Sequence, residues 1–290
     1  MKDELYSREL RWMELLAGAF NVFSMNIGAV LKVMLVIFLP ISLLEGVILD
    51  RMLSLSQALQ QLLPAAGTMA EANAYMLHVD FSAVSPLVYQ TLLNELLYFA
   101  VLLFLQPVGT IAVAKLAKQR IEGRPLSVKE AILDALQMEP AIIVSGILWA
   151  VLVFLGSILI VPGIYFSIAW SLYLYAIGLS GKKGWDALKY SKTLVQGRWL
   201  KTVGVLFLLG FVSLLWNSVF ELVYVFGAES AVVDTLYYFL CYFSAGFVAT
   251  GEAMLFLNRE AVIYGKKCSY EPDIVELEAV ELEEEEEKKD

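Results

Sequence analysis

Few residues of this chain are of types that do acid–base or metal chemistry, and their spacing suits neither. His78 is the single histidine, with Glu71 and Asp80 as the carboxylates near it. Phosphodiester hydrolysis needs an acid and a base, with a metal ion or basic groups around the phosphate. One histidine on a polar connection reads better as a solvated side chain, so no enzyme activity and no catalytic residue are expected. Cys241 lies in an apolar run and Cys268 beyond its end. That placement suits neither a disulfide nor, with one histidine, a structural zinc site. No cofactor or metal is expected.

Five carboxylates make a more coherent set. Glu45, Asp50, Glu95, Glu221 and Asp234 all fall near ends of apolar runs. Brought together, they would form an acidic vestibule that concentrates cations. The plainer alternative has each facing water by itself at the interface. The middles of the runs hold the polar residues Gln106, Ser171, Ser213 and Ser244, whereas ion-coupled carriers usually keep ionisable groups there. A basic set, Lys182, Lys183, Lys189, Lys192, Arg198 and Lys201, suits an anionic lipid surface, where each base contributes about 1 kcal/mol.

The elements that would carry these residues are membrane helices. Of the 290 residues 59% are hydrophobic and 18% charged, with a mean hydropathy of +0.68. Soluble domains carry about 25% charged residues. The net charge of −9 belongs to residues 271–290, which hold eleven acids and two lysines; the rest is neutral. Nucleic acid is therefore not an expected partner. Residues 269–290 read most simply as a disordered, solvated acidic tail, with docking of a basic protein partner as the alternative. The start, MKDELYSRELRWMELL, has acids where a signal peptide would be apolar.

Six apolar runs are long enough to span a bilayer, at about 27–49, 92–116, 141–161, 164–180, 200–226 and 231–257. They define a membrane domain over 27–268, an all-α polytopic helix bundle. Pro40 and Pro107 fall inside the first two runs and should kink them. Residues 1–26 are expected to hold an amphipathic interfacial helix over 4–20, with Leu5, Trp12, Met13, Leu16 and Phe20 on its apolar face. Residues 50–85 read as a cap on the outer surface. Ser127 opens a capping box with Glu130, and Val128, Ala131, Ile132, Ala135 and Leu136 share one helical face. A third amphipathic segment covers 182–199. Spans three and four are joined only by Pro162-Gly163.

Lysine and arginine crowd the 2–3 loop, the 4–5 loop and both termini, whereas the first outer loop has only Arg51. The positive-inside bias places both termini in the cytosol of a multi-pass cell-membrane protein. Amphipathic helices lead into all three hairpins. That order is either a threefold internal repeat or the ordinary consequence of alternating loops.

At Pro162-Gly163-Ile164-Tyr165, Trp170 and Ala187-Leu188-x-x-Ser191-x-x-Leu194-x-x-Gly197-x-Trp199, the chain resembles a known group. This is the six-helix bacterial and archaeal proteins related to the membrane domain of glycerophosphoryl diester phosphodiesterases. The resemblance implies a six-helix fold in the cell membrane and brings no catalytic residues. Many members carry an acid soon after the fourth span, where this chain has Ser180-Gly181-Lys182-Lys183. Any role tied to that acid does not carry over. Physically, Ala187 and Ser191 are small enough for close helix approach, Gly197 should end a helix, and Trp199 should anchor span five at the interface. The expected function is a non-enzymatic scaffold or lipid- or partner-binding membrane component; a channel or transporter for a small solute or cation is the alternative.

Overall fold

The structure, a computed structural model, describes residues 2–62, 81–227 and 230–265, and all regular elements among them are helical. Glu71, His78, Asp80, Cys268, part of the expected outer cap and the acidic tail lie outside the described residues. Six helical stretches are long and apolar enough to cross a membrane: Trp12–Ala58, Val84–Glu122, Glu139–Ser157, Val161–Ser180, Trp199–Phe220 and Ala231–Tyr264. The protein is an all-α polytopic membrane bundle.

Span six lies at its centre, packed on spans one, two, four and five. Its small residues allow this, since Gly246, Ala249, Gly251 and Ala253 are all buried, and small residues let helix backbones approach closely in a membrane. Both described termini lie at one end. There the Asn258 side chain donates to the Leu5 and Arg8 carbonyls (2.7 and 2.8 Å) and accepts from the Leu10 N–H (3.2 Å). This is the basic end of the bundle, and the end holding Asp50 and Asp234 is the far end.

Several boundaries differ from expectation for physical reasons. The N-terminal helix is two pieces, Lys2–Ser7 and a helix starting at Trp12 that runs unbroken into span one. Its packed face also differs. Leu5 is buried and Leu16 half-buried as expected, and Leu10, Leu15, Ala19 and Val22 are buried with them, whereas Trp12, Met13 and Phe20 are exposed, with Trp12 over Gly204 and Phe20 against Trp216 and Phe247. At the far end span one continues as helix to Leu62 rather than folding over as a surface cap.

The expected proline kinks take the form of π-helical turns, Met34–Phe38 before Pro40 and Val101–Leu105 before Pro107. Proline lacks an N–H and crowds the carbonyl four residues back. The preceding turn widens, so that the Leu39 N–H bonds to the Met34 carbonyl and the Gln106 N–H to the Val101 carbonyl.

Spans three and four turn at Ile158–Ile160, and Pro162-Gly163 lies in the first turn of span four instead of forming the link. A proline at a helix start gives up no intrahelical bond. Gly163 lies against Ser157, where a Cβ would come within 2.6 Å of the Ser157 Cα. Span four then breaks at Trp170–Leu172 into Val161–Ala169 and Tyr173–Ser180. Span five ends at Phe220, followed by a short helix Val223–Phe226. The three hairpins thus differ in build, with π-turns in both arms of the first and a broken second arm in the next.

At the basic end Val128–Gln137 is capped by Ser127, whose hydroxyl accepts the Glu130 N–H at 3.3 Å, but the expected box is only half formed, because the Ser127 N–H donates to the Gln119 side chain at 3.3 Å instead of to Glu130. Ala131 and Ala135 are buried there, but Leu136 is exposed. Helix Gly184–Val195 packs against spans three and four and buries Ala187, Leu188, Ser191, Leu194 and Val195.

Candidate functional site

Polar side chains concentrate at the two ends of the bundle. At the basic end, Glu9 follows the first short helix, and its carboxylate meets three cations from two other elements. Arg198 Nε lies 3.3 Å from Oε1 and Lys201 Nζ 3.2 Å from Oε2, while Arg259 donates to Oε1 through Nη1. Arg198 and Lys201 flank the start of span five, and Arg259 comes from the last turns of span six. Burial alone would raise the Glu9 carboxyl, but the Lys201 hydrogen bond and the Arg259 and Arg198 charges outweigh it and hold it below its usual range. Beside this cluster lies a cleft of about 620 Å³ lined by Glu9, Gly197, Arg198, Trp199, Leu200 and Lys201.

Next to Arg259 in the chain, Glu260 accepts hydrogen bonds from Ser180 and from Tyr190 (2.5 Å). Burial and the Glu260 carboxylate push the Tyr190 hydroxyl well above the usual phenol range, so it stays a donor. Lys182 sits over the Tyr190 ring, 5.3 Å from its centroid. Deeper in span six, Glu252 accepts from the Tyr175 hydroxyl at 2.8 Å.

The motif residues have structural work here. Ser191 donates to the Ala169 carbonyl (3.0 Å) and accepts the Leu172 N–H (3.1 Å), so one hydroxyl bridges the break in span four. Trp170 stacks on Phe166 at 4.7 Å and lies beside Leu188. Tyr165 is exposed and packs edge-on to Phe166. Gly197 has φ +76°, the left-handed region that favours glycine, just beyond the helix end, and Trp199 begins span five.

At the far end the five carboxylates do not converge as a set. Asp50 and Asp234 line one cleft of about 370 Å³ with Tyr224, whose hydroxyl donates to Asp234 at 2.8 Å. Glu45 is buried further in, its Oε1 accepting from the Tyr242 hydroxyl at 2.8 Å, while its Oε2 has no hydrogen-bond partner among the described residues. Tyr242 stacks on Phe38, and Phe38 lies over Gly109. Glu95 and Glu221 are exposed and line no part of that cleft. Among the described residues no group of three or more histidines, cysteines and carboxylates could hold a metal ion.

Comparisons with protein families, curated proteins and solved structures find no match for this chain. Its chemistry is carried by its own geometry. The residues missed from sequence are Glu9, Glu252, Asn258, Arg259 and Glu260. A carboxylate inside an apolar run was a signal for Glu252. The Asn258-Arg259-Glu260 triplet reads as the end of a span, and only folding supplies the partners that let the helix continue to Tyr264.

Proposed function

We propose that this protein is a non-enzymatic cell-membrane component, both termini in the cytosol, whose basic end binds anionic lipid and offers a scaffold to partners. One observation carries the proposal. Helix Gly184–Val195 buries its apolar face against spans three and four while Lys182, Lys183, Lys189 and Lys192 stay exposed. Each base near an anionic leaflet contributes about 1 kcal/mol, and the same lysines supply the positive-inside bias that orients the chain. Relation to the phosphodiesterase-associated membrane group is part of the proposal, supported by the motif roles of Ser191 and Gly197. The acidic tail is the proposed docking segment for a basic partner.

The test replaces Lys182, Lys183, Lys189 and Lys192 together by glutamine. The lipid retained by the purified protein is then counted by mass spectrometry, after extraction from bilayers of mixed phosphatidylglycerol and phosphatidylcholine. The native chain should retain an excess of phosphatidylglycerol that the variant largely loses. Equal enrichment in both would sink the proposal.

Passage of a small cation is a second reading, favoured by the shared cleft at Asp50 and Asp234. The packing beneath weighs against it: Phe38 fills the space over Gly109, Ile111 that over Gly178 and Leu209 that over Gly251.

A further inference from the structure

We propose that the cleft between Glu9 and the start of span five is a phosphate-binding site for the headgroup of an anionic phospholipid. The inference rests on the lipid-binding proposal above and names the place and the group recognised. Three features meet there.

The first is charge. One carboxylate, Glu9, faces Arg198, Lys201 and Arg259, which leaves a surplus of two positive charges. Arg259 is only 2% exposed, and its Nε has no hydrogen-bond partner among the described residues. The Arg259 charge is satisfied by Glu9, so the surplus sits on Arg198 and Lys201, which line the cleft at 31% and 46% side-chain exposure and attract an anion to it.

The second is space with donors. The cleft of about 620 Å³ borders Gly197, where a Cβ would meet nothing within 4 Å. Span five is a 22-residue helix whose Arg198 N-cap makes no side-chain cap bond. Thr202 donates its N–H to the Arg198 carbonyl at 3.0 Å, so the N–H groups of residues 199–201 precede that helical bond and are suited to a phosphate.

The third feature selects lipid over soluble phosphate. Leu200 on the cleft wall is 75% exposed, and Phe207, Phe211 and Leu214 continue an exposed apolar strip along span five. A phosphate in the cleft would lay its acyl chain on that strip. The other basic cleft, at Lys115, Lys118 and Arg124, has those three cations paired with two carboxylates, Asp134 and Glu122, so its surplus is one charge rather than two.

The full chain in phosphatidylcholine nanodiscs, doped with increasing phosphatidylglycerol, provides the test, with bound lipid read by native mass spectrometry. Arg198→Gln with Lys201→Gln should weaken phosphatidylglycerol binding about twenty-five-fold, two bases at roughly fivefold each. Arg198→Lys, which keeps the charge and folds more safely, should keep most of it. Glu9→Gln gives the opposite sign: it should tighten binding, because Glu9 competes for the same cations, although it loosens the N-terminal segment. A purely structural ion cluster would give weaker binding in both variants, and that result overturns the site. Inorganic phosphate or glycerol phosphate should displace the lipid only at far higher concentration; displacement at equal concentration would overturn the lipid assignment. If the four-lysine variant loses enrichment and the Arg198/Lys201 variant does not, this site falls while the broader proposal stands. If neither loses it, both fall.

Discussion

Ser191 and Glu9 show how much a single side chain can tie together in this bundle. Ser191 looks from its spacing like a small residue that permits close packing, yet its hydroxyl replaces the bonds lost where span four breaks. Glu9 joins the N-terminal segment to spans five and six through three cations. Its carboxyl lies below the usual range. The stabilisation it supplies is therefore complete above its unfolded value of about 4.3 and is lost as pH falls through the lowered one. Amide exchange of residues 2–10 should thus lose protection on acidification below about pH 4, whereas Glu9→Gln should be weakly protected at every pH. Full protection of the native chain at about pH 3 would show that this carboxylate is not the latch.

Among the elements, the turn between spans three and four carries the clearest strain. Ile160 has φ +55° and ψ −66°, and the Val161 N–H bonds to the Leu159 carbonyl at 2.6 Å, which is a γ-turn of the rare hand. Such a conformation costs a non-glycine residue about 1–3 kcal/mol, while glycine adds about 0.5–1 kcal/mol of backbone entropy. The Ile160 side chain is 70% exposed, so little packing is at stake. Ile160→Gly should therefore raise stability by about 1 kcal/mol, read as a higher Tm in detergent. Ile158→Gly, at an ordinary helical φ of −57°, should lower it. Equal losses in both would mean that the turn stores no strain. The π-turns relieve strain differently, widening one turn so that span one and span two continue past proline.

For the whole molecule, polar side chains concentrate at both ends, and large side chains close several contacts between the spans. Phe38, Ile111 and Leu209 fill the space over Gly109, Gly178 and Gly251, and Tyr242 stacks on Phe38. Proteoliposomes should therefore show no cation flux above empty vesicles, and Asp50→Asn with Asp234→Asn should change nothing. Flux in the native chain that this double variant abolishes would replace the scaffold proposal with the permeation reading.

The six spans, the all-α class and the Ser127 cap were legible in the chain itself. Hydropathy over about 20 residues and a cap over four are local properties, fixed before any two helices meet. The positions of Pro40 and Pro107 announced irregular helices for the same reason. What tertiary structure decided was which residues meet. Glu9, the Arg198–Lys201 pair and Arg259 are far apart in the chain, and no local pattern links the three. Span six passes its apolar limit because Asn258, Arg259 and Glu260 find partners at the basic end. The five carboxylates separate because burial depends on the neighbouring helix: Glu45 faces Tyr242, Asp234 faces Tyr224, and Glu95 and Glu221 face outward. A charge in a membrane protein is placed by the groups able to stabilise it, and those come from other helices.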